Sequence, residues 1–326
     1  MFRRITFSKV VVAITIVGLI VLNGLAGNGS SEIIKGVVAE ASTDAPKYVF
    51  YFIGDGMGAA QRQIAEYYKQ EITGDKNAKL LINTLPVAGI NTTYSSDSLI
   101  TDSAAAGTAL ATGYKTNNGV ISQTPDGTPV KSLIEAAEEK GIATGIVSTT
   151  RLTHATPAVF ASHNESRNNE NEIAEDFLDS GVEFLAGGGN RNFVPQNWEW
   201  GKSKREDDRN LLTEFNENGY EVFASADASE VFRNYQPKAG DKVIATLSSS
   251  HLPYEVDRMQ TNATPSLAEL TEKGIELLSM YDNGFFMMVE AGRIDHACHA
   301  NDAAGSIHDT LAFDEAVIKA YEFYQK

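Results

Sequence analysis

The run Tyr48-Val49-Phe50-Tyr51-Phe52-Ile53 shows no alternation of apolar and polar positions. Such a run reads as a strand buried on both faces, as in a sheet covered by helices on each side. Phe285-Phe286-Met287-Met288-Val289 repeats the pattern and stops at Glu290, and Ala143 to Thr149, Val182 to Ala186 and Val243 to Leu247 are further examples. Between these runs the spacing becomes helical. Ala59 to Glu71, Leu133 to Lys140 and Ile173 to Leu178 are expected to coil, the last two closed by Gly141 and Gly181. Thr264-Pro265 opens another helix with a cap and a first-turn proline, and Leu267, Leu270, Ile275 and Leu278 mark its apolar face. Ala303 to Tyr324 is the last expected helix, and Pro86 to Tyr94 reads as a short extended segment. Strands alternating with helices predict an α/β fold with a large, mostly parallel central sheet between helical layers.

Two regions depart from this rhythm. Asn190 to Gln236 has less regular patterning and reads as a surface insertion (about 190–240) with a helix near Leu211 to Asn218. At the other extreme, Arg3, Arg4 and Lys9 precede the apolar run Val10 to Leu22. A positive start, a short apolar core and then small residues describe a secretory signal, and the run is short for a membrane span of roughly 20 residues. Cleavage is expected after Ala26 or after Ala41, which makes 1–41 a leader and 45–326 the catalytic domain. The expected location is secreted, in the extracellular, periplasmic or cell-wall space, with no stable span once the signal is cut. Cys298 is the only cysteine, so no internal disulfide framework holds the exported chain. With 43 acidic against 27 basic residues and a net charge of −16, the chain lacks the basic surface that nucleic acid requires.

Candidate chemistry gathers where strands end. In Thr101-Asp102-Ser103-Ala104-Ala105-Ala106, followed by small residues up to Gly113, Ser103 is placed in the first turn of a helix capped by Thr101 or Asp102. Free backbone N–H groups and the positive dipole end there favour an anion. Asp55 stands among Gly54, Gly56 and Gly58 directly after the first buried strand, where backbone can approach an ion closely. The spacing of those glycines does not fit a dinucleotide fingerprint. After the Ala143 strand, Thr153-His154-Ala155-Thr156-Pro157 offers an imidazole and a hydroxyl, and Arg167 supplies a fork suited to phosphate. The third strand end, Glu290-Ala291-Gly292-Arg293-Ile294-Asp295-His296-Ala297-Cys298-His299, is the densest. Asp295 and His299 lie four residues apart, so on a helical turn an oxygen and a nitrogen ligand converge, while Cys298 points elsewhere as a packed thiol.

Ile53-Gly54-Asp55-Gly56-Met57-Gly58, Thr101-Asp102-Ser103-Ala104-Ala105, Thr153-His154-Ala155-Thr156-Pro157 and Val289-Glu290-Ala291-Gly292-Arg293-Ile294-Asp295-His296 occur in that order. Together they closely resemble the alkaline phosphatase family in its bacterial secreted form, from about Lys47 to the last residue. The resemblance implies a metal-dependent hydrolase of small phosphate monoesters that uses two zinc ions and one magnesium ion. It implies that Ser103 is the nucleophile that becomes phosphoserine and that Arg167 clamps the phosphate. Asp295 and His299 would hold one zinc; Asp55, with Ser103, would serve the second and bridge it to the magnesium, which Thr156 and Glu290 also ligate, and His154 is counted with these metal-site residues. The family is often dimeric, so a homodimer is expected, although the sequence exposes no interface.

Two departures from the family pattern matter. The best-known bacterial members carry Asp at the position of His154 and Lys at that of His296, a change of charge beside the magnesium site. In the family a later Asp-His pair and a still later His complete the zinc sites; neither is expected among the six histidines here, so later strands and ligands read as missing. The first expectation is therefore a phosphomonoesterase, incomplete at its C-terminus. The second is a non-catalytic fragment of such an enzyme, and the third a phosphodiesterase or sulfatase-like hydrolase of the same superfamily.

Overall fold

The uninterrupted apolar runs are strands because helices cover both of their faces. The computed structural model describes residues 46–199 and 201–326, so the signal-like segment and both expected cleavage positions lie outside the described residues. The strands β1 Tyr48–Gly54, β2 Ala143–Arg151, β3 Phe184–Gly188, β4 Tyr220–Phe223, β5 Lys242–Thr246 and β6 Phe285–Ala291 form one sheet in the order β1-β6-β2-β3-β5-β4. Every neighbouring pair is parallel. The helices are α1 Ala59–Thr73, α2 Ser103–Thr112, α3 Leu133–Glu138, α4 Ala155–Ala161, α5 Glu170–Asp179 and α6 Leu211–Glu217, then α7 Ala228–Asn234, α8 Glu255–Thr261, α9 Leu267–Leu278, α10 Arg293–His299 and α11 Ala303–Gln325. Among the described residues, no helix is long and apolar enough to cross a membrane.

Successive strand residues enter two different cores. Phe50, Phe52, Phe285, Met287 and Val289 pack with Leu270 and Leu277 of α9 and Phe313 and Val317 of α11. Tyr51, Phe286 and Met288 point the other way, toward Ala104 of α2, Ile134 of α3, Phe160 of α4 and Phe177 of α5. Alternation is present in space, yet both sets are apolar, so it leaves no trace in the sequence. Phe50 and Phe285 meet edge to face with ring centroids 5.2 Å apart, which ties β1 to β6 across the ladder.

Three expectations need correction. The 190–240 stretch is not a surface insertion: Phe193, Leu211 and Phe215 are fully buried, and Tyr220–Phe223 is the edge strand β4. That strand is four residues long and carries the exposed Glu221, so its hydrophobic signal is weak. Pro86 to Tyr94 joins no strand, and Val87 and Ile90 lie exposed. Helix α9 starts later than Thr264-Pro265 suggests, because Ser266 is the cap: its hydroxyl accepts from the Glu269 N–H at 3.2 Å, and Glu269 reciprocates from the Ser266 N–H at 2.7 Å.

Chain order positions the site. From β1 the chain passes to β2 and leaves a gap that β6 later fills. The carboxyl ends of β1, β6 and β2 therefore lie side by side, and open parallel sheets gather ligands at the carboxyl ends of their strands.

At the opposite end of the sheet, Glu138 accepts from the Thr144 hydroxyl, and Glu183 accepts from the Thr144 N–H at 2.7 Å. Burial first, with the nearby Glu183 charge adding to it, pushes the Glu138 carboxyl up from 4.5 to about 7. The folded chain then holds a proton that the unfolded chain releases, so this group's contribution to stability falls as pH rises from about 4.5 to about 7. Glu138→Gln is neutral at every pH. Urea unfolding of both proteins in chelator should show the variant gaining on the parent between pH 5 and pH 8; an unchanged difference would contradict the raised Glu138 carboxyl.

Candidate active site

Asp55 follows the last residue of β1, and the register pairs Ile53 with Glu290 and Ser148 with Glu290. Adjacent strands thus place Glu290 and Ser148 in one row with Ile53, and Asp55 lies just past that row at the end of β1. Glu290 is fully buried. Its Oε2 accepts from the Ser148 hydroxyl and, at 3.2 Å, from the Thr150 hydroxyl, while Thr156 donates a further hydrogen bond to the carboxylate. Its Oε1 is buried with no hydrogen-bond partner among the described residues. Burial and the Asp55 charge push the Glu290 carboxyl up to about 8 despite those donors. Burial and the Asp295 charge likewise push Asp55 up to about 6.

Gly56 is what lets Asp295 come so close. Its φ is +63°, and a Cβ there would lie 2.6 Å from Asp295 Oδ1 and 3.0 Å from Asp295 Cα. Asp295 and His299 share one face of α10, as their spacing predicts, with His299 Nε2 3.3 Å from Asp295 Oδ2. The His299 side chain is 79% exposed and the Asp295 side chain 24%. Cys298 turns aside, packing on the α1 side of the core with Sγ 3.4 Å from Gln61 Nε2 and 3.5 Å from Ser306 Oγ.

Ser103 is the first residue of α2, capped by Asp102, whose Oδ1 accepts from the Ala105 N–H at 2.9 Å. Gly113 closes the helix at φ +81°, so the small-residue stretch folds as its sequence indicates. The Ser103 hydroxyl donates to Asp55, 3.1 Å from Oδ2 and 3.3 Å from Oδ1. The other oxygen of the capping carboxylate, Asp102 Oδ2, accepts from Arg167 Nη1 at 3.0 Å and from the Gly119 N–H at 3.0 Å. Arg167 Nη2 lies 3.1 Å from His154 Nε2. A helix start, a hydroxyl and a guanidinium therefore share one corner, the donor set that a tetrahedral oxyanion needs.

His154 caps α4, and burial, reinforced by the Arg167 and Arg151 charges, holds its imidazole well below the usual range. His296 is pushed down to about 4 by burial and Arg293. Sequence reasoning missed His251, which follows β5 and whose ring centroid lies 5.5 Å from that of His154 and 4.4 Å from that of His296. It also missed Arg151, which is clamped by Glu170, and the hydroxyls of Ser148 and Thr150. The strand-end rule applied to the Val243 to Leu247 run points to His251; no charged cluster accompanies it in the sequence, so it draws no attention there.

The candidate residues form linked pairs: Ser103 with Asp55, Arg167 with His154, Thr156 with Glu290, and Asp295 with His299. Among the described residues, no three His, Cys, Asp or Glu side chains converge on a single cation position. The donor set nevertheless fits divalent cations. Glu290 keeps an unpartnered buried oxygen, and after burial the Asp295 charge raises Asp55 and the Asp55 charge raises Glu290, a repulsion that a cation relieves.

A parallel sheet that gathers carboxylates, imidazoles, an arginine and a helix-start serine at its strand ends defines an α/β protein with a candidate polar centre beside the sheet. The alkaline phosphatase family profile matches residues 46–326. Alkaline phosphatase 3 of Bacillus subtilis is 35% identical, covering 98% of this chain and 67% of that protein. The repressible alkaline phosphatase of Saccharomyces cerevisiae is 36% identical over 85% of this chain and 52% of its own length. Among solved structures, Thermus thermophilus alkaline phosphatase superposes with a TM-score of 0.76 at 36% identity, covering 85% of this chain and 56% of that one. A histidine-to-aspartate variant of the TAB5 alkaline phosphatase, with magnesium bound in its M3 site, gives a TM-score of 0.71 at 32% identity, covering 86% of this chain and 74% of that one. The chain belongs to the alkaline phosphatase family, and it spans roughly half to two thirds of the length of the curated relatives named here.

Gly56→Ala is expected to destabilise the fold by about 1–2 kcal/mol through its left-handed backbone alone, with the Asp295 clash adding to it. Gly58→Ala is the control: its Cβ would meet only the flexible end of Gln61, at 3.2 Å. Urea unfolding of the two variants measures the difference, and equal stability would exclude close approach as the reason for glycine at 56.

Proposed function

We propose that the chain carries the centre of a phosphate-monoester hydrolase that works through a phosphoserine at Ser103. The hydrogen bond from the Ser103 hydroxyl to Asp55, with Arg167 held beside the start of α2, is the observation that carries this reading. Asp55 fixes the direction of the Ser103 O–H, which turns the oxygen's lone pairs away from the carboxylate. Arg167 is steadied by Asp102 on one Nη and meets His154 on the other, so the guanidinium plane is set before an anion arrives. First-turn N–H groups of α2 add donors for the same anion.

In the first step Ser103 Oγ bonds to phosphorus, the ester P–O bond breaks and the alcohol departs. In the second, water attacks the phosphoserine, releasing phosphate and restoring the hydroxyl. Phosphoryl transfer asks for positioning and charge neutralisation more than for covalent help. By family resemblance, Asp295 and His299 would hold one zinc, Asp55 with Ser103 a second, and Asp55, Thr156 and Glu290 a magnesium beside His154. When bound, these ions neutralise phosphate charge and lower the pKa of hydroxyl groups and water. Export follows from the N-terminal pattern, and dimerisation from the family; both are part of the same proposal.

Ser103→Ala is expected to cut hydrolysis of a chromogenic phosphate monoester on the order of a thousandfold or more. Acid quenching during turnover of phosphorus-labelled substrate should leave label on the peptide containing Ser103; label elsewhere would refute the nucleophile. Arg167→Ala should lower kcat/KM for monoesters by about ten- to a hundredfold, the scale of a lost charge-assisted hydrogen bond. Diester hydrolysis should fall less, and equal losses would favour a phosphodiesterase. The 326-residue chain failing to hydrolyse monoesters in excess zinc and magnesium, while still binding phosphate, would support the non-catalytic alternative.

A further inference from the structure

We propose that His251 is a positioning residue that holds His154 in the one orientation and tautomer in which it accepts from Arg167; its link to phosphate rests on the function proposed above. The three imidazoles of His154, His251 and His296 form a closed triangle. Their centroids are 5.5 Å, 5.5 Å and 4.4 Å apart, and the rings meet edge to face at 79°, 81° and 65°. Each ring is thus walled by the other two, and removing one leaves the others a free side.

A guanidinium stands against each ring. Arg167 Nη2 is 3.1 Å from His154 Nε2, Arg293 Nη1 is 3.0 Å from His296 Nδ1, and Arg151 Nη1 faces His251 Nε2. Guanidinium nitrogens only donate, so the ring nitrogen facing one must accept, and the ring must be neutral there. For His154 this puts the proton on Nδ1, which is buried with no partner among the described residues. The opposite tautomer would set Nε2–H against the Arg167 donor, so relief of the orphan N–H requires the ring to turn, and with the turn comes the change of tautomer. Something must hold the ring against that preference, and the packed His251 and His296 rings are the groups in place to do so.

His251 is itself anchored more firmly than a loop residue needs to be. Both of its nitrogens face Arg151, the side chain at Nε2 and the backbone N–H at 3.3 Å from Nδ1. A neutral imidazole accepts at only one nitrogen, so Arg151 grips the ring from two sides and makes one hydrogen bond with it. Arg151 is in turn pinned by Glu170, with Nε 2.7 Å from Oε2 and Nη2 2.8 Å from Oε1, and Glu170 also takes the Thr153 hydroxyl at 2.7 Å. The line of support runs from Glu170 through Arg151 and His251 to His154, and ends at the guanidinium of Arg167. Burial and the surrounding arginines hold all three imidazoles below their usual range, in keeping with neutral rings throughout.

The test compares His251→Ala, which removes the ring, with His251→Phe, which keeps it, and His251→Asn replaces the alanine variant if that one does not fold. Long-range proton–nitrogen spectra of the imidazoles are recorded on the full chain in chelator and without phosphate. The parent and the Phe variant should show His154 as a single Nδ1–H tautomer, and the ring-less variant a mixture of both tautomers. In excess zinc and magnesium, inorganic phosphate should bind the ring-less variant about tenfold more weakly, the scale of losing a supporting partner, and bind the Phe variant nearly as the parent does. An unchanged His154 signature in the ring-less variant, or a Phe variant that behaves like it, would overturn the proposal. A parent that binds no phosphate would refute the anion reading of the site, and the tautomer spectra would then decide the role of His251 by themselves.

Discussion

Asp55, Glu290 and Asp295 come together because parallel registry leaves them no choice. Strands β1 and β6 end side by side, Gly56 admits the backbone of α10, and the carboxylates gather where Glu290 is fully buried and Asp55 and Asp295 are half-buried. Burial first, and then the Asp295 charge on Asp55 and the Asp55 charge on Glu290, push these two carboxyls up to about 6 and about 8. The surrounding polar groups address that one problem. Ser148, Thr150 and Thr156 donate to Glu290, Ser103 donates to Asp55, and one Glu290 oxygen is left over. Such an arrangement suits positive charge.

Charge is layered around that centre. The acids lie at the strand ends, the neutral imidazoles of His154, His251 and His296 stand beside them, and Arg151, Arg167 and Arg293 back the imidazoles. Arg167 is the member that reaches inward, because Asp102 at the cap of α2 draws it toward Ser103. One residue, Asp102, thus both starts the helix and aims the arginine.

Most of this was legible in the sequence because its determinants are local. A buried strand followed by glycine and an acid, or by Glu-Ala-Gly-Arg-Ile-Asp-His, needs no tertiary information to stand out. The small-residue helix from Ser103 to Thr112 follows from propensity and a cap alone. The illegible parts depend on partners remote in sequence. Helix α8 buries none of its residues, so it has no apolar stripe to find, and β4 is recognisable as a strand only beside β5. His251 is about a hundred residues from Arg151, and nothing in Ser248-Ser249-Ser250-His251 signals that the two meet. The single-step links between Ser103 and Asp55 or Arg167 and His154 are likewise visible only once the strands are laid side by side.

Thermal unfolding of the chain in chelator, and again after zinc and magnesium are added, tests the central repulsion most directly when Asp55→Asn is measured alongside the parent. Asparagine keeps an oxygen for Ser103 and removes one of the crowded charges. The expected result is a metal-dependent rise in the midpoint of the parent, with the variant melting higher than the parent in chelator and gaining less from metal. A parent midpoint that ignores zinc and magnesium, together with a variant that melts lower in chelator, would contradict the view that these carboxylates are held together against their own charge.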